Sequence, residues 1–156
     1  MGTFVHDLFC AYDERLSDTA TQAWVKDYLA TSKFQEFIDA SWLSKSLVAF
    51  HSYLKKSYKD YTLHKELPIQ AIDAEGRYIE GYVDLVVEVG DVLLIIDYKT
   101  FCTKEYVAGG YEDKALSFSG QLAMYAEILE KSFGKQVDGT FVYFVFEGRM
   151  VELSIK

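Results

Sequence analysis

The spacing of hydrophobic residues along the chain changes near residue 60. Before that point apolar residues recur every three or four positions, which predicts amphipathic helices. After it the period changes, and runs of β-branched and aliphatic residues bounded by turn signals predict strands. The predicted helices cover residues 2–16, 18–28 and 34–58, the second capped by Ser17 or Asp18 and the third being one long helix or two. The later segments are strands at 61–72, 78–89, 92–99, 139–146 and 150–155, a loop at 101–112 and a helix at 112–134 ending on Gly134.

This order of elements predicts a mixed α/β sandwich built on one central sheet. A chain of 156 residues has the length of a typical single domain. Its single proline, Pro68, means that no proline-rich linker divides it. Residues 1–156 are therefore expected to form a single domain.

The stretch "GYVDLVVEVGDVLLIIDYKT", residues 81–100, predicts a hairpin that turns at Gly90-Asp91. With these two as the turn residues, Asp84 lies directly opposite Asp97, and Lys99 points to the same face as Asp97. Two facing carboxylates beside a lysine suggest a divalent metal site. The alternative is that Asp97 caps a strand end while Asp84 is exposed and paired with Lys99, because surface ion pairs are common.

Charge and cysteine content narrow the possible functions. The net charge of −8 argues against passive adhesion to nucleic acid, but does not exclude an enzyme that holds a phosphate through a metal. Cys10 and Cys102 are too few for a four-thiolate zinc site or an iron–sulfur cluster, and free thiols fit the cytoplasm. No signal peptide is evident and no apolar run is long enough to cross a bilayer, so no membrane partner is expected.

Three segments carry a family resemblance. They are "GTFVHDLF" at residues 2–9, the hairpin at 81–100, and "GQLAMYAEIL" with Gln121 and Tyr125. Together they resemble the RecB/AddA-type nuclease domain of bacterial exonuclease V, a branch of the PD-(D/E)XK nuclease superfamily. The resemblance spans nearly the whole chain and implies a restriction-endonuclease-like core, with a mixed sheet flanked by helices.

The resemblance also assigns roles to individual residues. It makes His6, Asp84 and Asp97 metal ligands, with the backbone carbonyl of Tyr98 as a fourth. Lys99 would be the catalytic lysine that orients or deprotonates the attacking water. Without the family motif, His6 would be an ordinary histidine of a half-buried helix face.

The helix motif implies that Gln121 and Tyr125 position the surroundings of the lysine or the bound strand. Being four residues apart, they share one helix face, where Tyr125 could equally be a plain core residue. Glu66 matches a glutamate that many relatives have on the preceding strand. A two-residue turn at Glu75-Gly76 would place it opposite Leu85, whereas an odd loop or a bulge would bring it beside Asp84.

The function implied is a Mg²⁺-dependent DNA nuclease, acting on single-stranded ends beside a helicase domain or subunit. Mn²⁺ should substitute for Mg²⁺, because an imidazole ligand suits transition metals. The branches of the family that hold an iron–sulfur cluster are excluded by the cysteine count. The alternative is an inactive module that guides DNA or docks a protein, although every catalytic position of the motif is filled.

Overall fold

The computed structural model describes residues 2–100 and 110–155, and the chain divides into two compact units, residues 1–59 and 60–156. The helices are α1 Gly2–Ala11, α2 Asp18–Ala30, α3 Ala40–Ser57, α4 Gly110–Leu116 and α5 Ser119–Phe133. The strands are β1 Tyr61–Ile72, β2 Tyr78–Val89, β3 Val92–Lys99, β4 Gln136–Phe144 and β5 Arg149–Leu153. Within these ranges no helix has both the length and the apolar character that a membrane span requires. That both units act as a single nuclease domain stays a prediction.

The N-terminal unit consists of three helices whose apolar stripes are buried. Ser17 caps α2 by accepting a hydrogen bond from the Ala20 N–H, as predicted. The helix predicted to begin at residue 34 begins only at residue 40, because the side chain of Asp39 caps α3 by accepting from the Trp42 N–H. Phe37, which the helical pattern places in the apolar stripe, lies in the preceding turns and is 74% exposed.

The C-terminal unit holds a five-stranded sheet in the order β1-β2-β3-β4-β5. All neighbouring strands are antiparallel except β3 and β4, which are parallel and are joined by the segment that contains α4 and α5. The predicted mixed sheet is therefore confirmed. Strand β3 is central, and its residues 93–98 are all buried.

The helical segment after β3 is two helices instead of the single one predicted. Helix α4 begins at Gly110, so the loop predicted over residues 101–112 is wrong at its end; residues 101–109 lie outside the described part of the chain. The helix breaks at residues 117–118, where the Phe118 N–H donates to the carbonyl of Ala115 in a tight turn. Gly134 ends α5 in the left-handed conformation, with φ of +63°, as predicted.

The hairpin of β2 and β3 has the predicted register. Its turn residue Gly90 has φ of +56°, and the pairing runs from Val89 opposite Val92 to Leu85 opposite Ile96. The two-residue turn thus fixes the faces of both strands before any tertiary contact is considered.

A charged cluster ties the turn end of this hairpin to the chain after α5. The carboxylate of Glu88 contacts both the Nζ of Lys135 and the Nε2 of His64, and Lys135 also donates to the carbonyl of Gly90. The hydrogen bonds from Lys135 and then from His64 hold the pKa of Glu88 below its ordinary value of 4.5. This cluster links β1, β2 and the start of β4.

We expect Glu88→Gln to destabilise the protein by about 1 kcal/mol at neutral pH. A carboxyl group with a lowered folded-state pKa stabilises the fold above its unfolded pKa and loses that contribution as the pH falls through the folded one. The difference between wild type and variant should therefore shrink below about pH 4.5. Urea unfolding at several pH values measures this, with Glu127→Gln, which removes an exposed pair with Lys131, as the control. A pH-independent difference would contradict it.

Candidate active site

The sheet opens into a fork between β2 and β3 beyond the pair Leu85 and Ile96. Strand β2 continues its pairing with β1 alone, with Val83 opposite Leu67, while β3 continues beside β4 up to Lys99. The β2–β3 ladder ends at the positions where the sequence places its two aspartates, so each carboxylate lies at the fork, while the backbone of Asp97 still pairs with Val142 of β4.

Asp84 spans the fork through a hydrogen bond to the backbone of β3. Its Oδ2 accepts from the Tyr98 N–H at 2.6 Å. In a continued ladder that N–H would pair with the carbonyl of Val83, so a carboxylate oxygen replaces a backbone acceptor. Asp84 and Asp97 are the next positions on their strands beyond the last ladder pair, and there the side chain of Asp84 replaces a backbone bond between the strands. That the two side chains face each other stays a prediction.

Asp97 and Lys99 form a close ion pair on one face of β3. The Oδ2 of Asp97 lies 2.6 Å from the Nζ of Lys99, and the two side chains are 8% and 18% exposed. They share a face because strand side chains alternate. The alternative raised by the sequence is an exposed Asp84 as the ion-pair partner of Lys99. The observed partner is Asp97. The ammonium is instead held by the more buried carboxylate.

Glu66 lies at the position of β1 across from Asp84. Lys65 is opposite Leu85 and Leu67 opposite Val83, because the β1–β2 hairpin closes with the odd loop of residues 73–77. The alternative in which an odd loop brings Glu66 beside Asp84 is thus the one observed. Carboxylate oxygens of these two residues lie within 4.8 Å of each other.

The backbone is distorted at this point of the sheet. Glu66 has φ of +47°, in the left-handed region that non-glycine residues rarely adopt. Alternation is also interrupted on β2, because Val83 and Val86 both join the core cluster packed against α5 although they are an odd number of residues apart. The distortion takes Glu66 and Asp84 out of the regular up-and-down pattern, and strain of this kind is typical of functional sites.

Helix α5 places Tyr125 beside both aspartates. The Nε2 of Gln121 donates to the Tyr125 Oη at 2.7 Å. The phenol also packs closely over Gly81 of β2, where an added Cβ would lie 3.4 Å from the Oη. Burial is the main cause that raises the pKa of Tyr125; the Gln121 hydrogen bond opposes it, and the negative charges of Asp97 and Asp84 add to it. Tyr125 is therefore both a core residue and a neighbour of the fork.

Phe118 is a neighbour of the site that sequence reasoning missed. The Nζ of Lys99 lies 4.2 Å from the centroid of its ring. The signal that could have found it is helical spacing, since Phe118 precedes Gln121 by three residues and Gln121 precedes Tyr125 by four. All three positions belong to one side of the helix start.

The predicted roles of two metal ligands, His6 and the carbonyl of Tyr98, stay predictions. His6 is a half-buried residue of α1 in the N-terminal unit, and its role as a ligand stays a prediction. Tyr98 donates its N–H to Asp84 and packs its ring edge-on against Tyr143, while the role of its carbonyl stays a prediction. Cys10 is a half-buried residue of α1, and Cys102 lies outside the described residues.

The donor atoms at the fork fit a hard divalent cation. Carboxylate oxygens of Glu66 and Asp84 converge within 4.8 Å, and the carboxylate of Asp97 lies on the neighbouring strand. Magnesium and manganese take oxygen ligands of this kind, whereas soft thiolate-seeking metals do not. The arrangement can hold a cation next to the ammonium of Lys99, which is a combination suited to binding an anion such as a phosphate.

Comparison with known proteins gives matches along almost the whole chain. Residues 1–154 match the PD-(D/E)XK nuclease superfamily. An ATP-dependent helicase/nuclease subunit from Thermoanaerobacter sp. (strain X514) is 32% identical over 108 residues, which are 69% of this chain and 8% of that protein. The protein of the same name from Acetivibrio thermocellus is 30% identical over 92 residues, covering 58% of this chain and 7% of that protein. The chain thus spans less than a tenth of the length of these relatives.

Proposed function

The chain belongs to the PD-(D/E)XK nuclease superfamily, and from that premise we propose that it is a Mg²⁺-dependent DNA nuclease that hydrolyses phosphodiester bonds. Its mixed sheet with helices is the restriction-endonuclease-like fold of that superfamily. The observation that carries the proposal is the fork, which brings the motif residues Asp84, Asp97 and Lys99 together at one point of the sheet.

The residues proposed to hold the metal are His6, Asp84 and Asp97 with the carbonyl of Tyr98, and Glu66 offers a further carboxylate. When bound, a divalent cation supplies Lewis-acid polarisation of the phosphate and lowers the pKa of a coordinated water. The hydrogen bond from the Tyr98 N–H fixes one carboxylate oxygen of the half-buried Asp84 at the fork.

Lys99 is proposed as the catalytic lysine. Its ammonium carries three donors, of which one reaches Asp97 at 2.6 Å, so the others are available to a phosphate oxygen or to the attacking water. Its positive charge stabilises the charge that develops on the phosphorus oxygens in the transition state. Asp97 orients the lysine from the same face of β3.

Gln121 and Tyr125 are proposed to shape the helix side of the site. The phenol of Tyr125 is fixed by the amide of Gln121, and Gln121 is itself exposed, so its carbonyl oxygen can meet a bound strand. The raised pKa of Tyr125 keeps the phenol protonated near the two carboxylates. We assign the pair to positioning and not to proton transfer.

The relatives' names suggest the setting in which such a nuclease works. They are ATP-dependent helicase/nucleases, so we propose that a helicase domain or subunit delivers single-stranded DNA ends to this chain. Processing of DNA ends for recombinational repair, in the cytoplasm, is part of the same proposal. Membership of a nuclease family supports the catalytic role over the alternative of an inactive DNA-guiding or protein-docking module.

The test is cleavage of linear DNA by the purified chain. We expect single-stranded DNA to be degraded with Mg²⁺ or Mn²⁺ and to stay intact with EDTA, because the site is built from metal-binding oxygens. Products are followed on denaturing gels with end-labelled strands. If neither single- nor double-stranded DNA is cleaved with either metal, the inactive-module alternative is favoured.

We also expect the isolated chain to bind DNA weakly. Affinity for nucleic acid depends on the number of phosphates neutralised by basic residues, and the net charge of −8 supplies few. Fluorescence anisotropy with a labelled oligonucleotide in Ca²⁺, at increasing salt, measures both affinity and its salt dependence. Nanomolar binding at physiological salt by this chain alone would contradict the expectation and make a separate delivery domain unnecessary.

A further inference from the structure

We propose that Phe118 is a positioning residue that holds the ammonium of Lys99 in place through a cation–π contact. The inference rests on the proposed nuclease function, since it concerns the lysine assigned to the chemistry. The Nζ of Lys99 lies 4.2 Å from the ring centroid of Phe118, well inside the range of about 6 Å over which a ring face attracts a cation.

Lys99 is held from two different elements. Asp97 contacts the ammonium from β3 itself, and Phe118 contacts it from the start of α5. A lysine has a flexible four-carbon stem, so one contact at its tip leaves many rotamers available. A second contact from a packed helix restricts the ammonium to one position, which a reaction with strict geometric demands requires.

An aromatic ring is suited to this task in a way that a second carboxylate is not. A second carboxylate beside Lys99 would cancel the positive charge needed near a phosphate. The face of a phenylalanine ring attracts the ammonium through its quadrupole but carries no net charge. A second ammonium, that of Lys114, lies 5.5 Å from the same centroid, so the ring keeps two positive charges near the fork.

The place of Phe118 in the chain supports a role beyond helix stability. It occupies the N-cap position of α5 and makes no side-chain capping hydrogen bond. Serine, threonine, aspartate or asparagine would stabilise that position more. Its ring is half-buried and packs against the core cluster of the sheet, so the contact with Lys99 comes from a fixed element.

The chain offers a matched control at the other end of the same helix. Phe133 is the last residue of α5 and packs partly buried against the same core cluster, but its ring contacts His64 at a centroid distance of 5.4 Å. Phe118→Leu and Phe133→Leu therefore remove similar apolar contacts. Only the first removes a ring from a lysine of the proposed site.

The first experiment compares kcat, KM and melting temperature of these variants on single-stranded DNA. We expect Phe118→Leu to lower kcat roughly tenfold with little change in KM. Phe118→Tyr and Phe118→Trp should restore kcat to within about threefold, because their rings also attract cations. Phe133→Leu should lower the melting temperature about as much as Phe118→Leu and leave kcat unchanged. Equal losses of kcat in the two leucine variants would overturn the inference.

A second measurement does not depend on activity. In wild type the ring should shift the NMR signals of the Lys99 ε-methylene protons upfield, and Phe118→Leu should abolish that shift while Phe118→Tyr keeps it. If the Lys99 ε-methylene signals are the same in wild type and Phe118→Leu, the positioning role is overturned, whether or not the chain cleaves DNA. A wild-type chain that shows the shift but cleaves no DNA would contradict the proposed function and leave the contact itself established.

Discussion

Lys99→Ala is expected to lower kcat by roughly 10²- to 10⁴-fold, the range typical of losing a positioned group that transfers a proton or stabilises charge in the transition state. The lysine is not a proposed ligand, so the rise in melting temperature that Mg²⁺ or Mn²⁺ produces should persist in the variant. The measurement combines single-turnover cleavage of labelled single-stranded DNA with melting curves in EDTA and in excess metal. The separation of the two effects distinguishes a lysine that acts in the chemistry from one that only builds the site.

The matched control for this prediction is Lys135→Ala. Lys135 is also a partly buried lysine paired with a carboxylate, that of Glu88, but it lies at the turn end of the hairpin. We expect this variant to lose stability and to keep kcat. If Lys99→Ala kept more than a tenth of the wild-type kcat, Lys99 would be a structural ion-pair partner of Asp97.

Local patterns in the sequence were sufficient to predict the hairpin of the site. Glycine at position 90 followed by Asp91, between two apolar runs, fixes a two-residue turn and with it the register up to Leu85 and Ile96. The cap of α2 at Ser17 and the end of α5 at Gly134 were also predictable, because each depends on one residue's own backbone or side chain.

The failures arise where the apolar pattern continues but another contact ends the element, through a local cap in one case and through the division of the sheet in the other. The apolar spacing continues from Phe34 into α3, but the side chain of Asp39 starts the helix only at residue 40. A regular alternation predicts that β2 and β3 stay paired past Leu85, whereas each strand follows its outer neighbour there. Periodicity assumes regular elements, and it cannot show where a sheet divides.

Some residues of the candidate site could be predicted from local sequence, and others are placed by contacts between distant parts of the chain. The motif residues Asp84, Asp97 and Lys99 could be named from the hairpin alone. The side of the sheet on which Glu66 lies depends on the length of the loop between β1 and β2. The turn signal at Glu75-Gly76 did not determine that this loop has five residues, 73–77. Phe118 becomes a neighbour of Lys99 only through the packing of α5 on the sheet, which no short motif encodes.

The charges at the fork are also distributed differently from the sequence-based expectation. Register alone predicts repulsion between Asp84 and Asp97. In the structure the Nζ of Lys99 lies 2.6 Å from Asp97 and compensates its charge, whereas carboxylate oxygens of Glu66 and Asp84 lie within 4.8 Å of each other. A metal would thus also relieve repulsion between β1 and β2, at a residue whose backbone is strained.

We therefore expect Glu66→Gln to melt no lower than wild type in EDTA, because it removes a repulsive charge without changing the packing volume. Glu66→Gly should behave alike, because glycine adopts φ of +47° without the penalty of about 1–2 kcal/mol that other residues incur. Both variants should lose most of the metal-induced rise in melting temperature, which for the wild type corresponds to roughly 2.7 kcal/mol at a metal concentration 100 times the dissociation constant.

The control for this last prediction is Glu80→Gln, which removes an exposed negative charge from the same hairpin and should change neither melting curve. Stabilisation of the metal-free protein together with loss of the metal effect would mark Glu66 as a residue kept for function at the expense of stability. A Glu66→Gln variant that melts several degrees lower in EDTA would instead show that the carboxylate is a structural partner in the fold. A full metal-induced rise in that variant would remove Glu66 from the proposed ligands and leave Asp84 and Asp97 as the carboxylates that hold the metal.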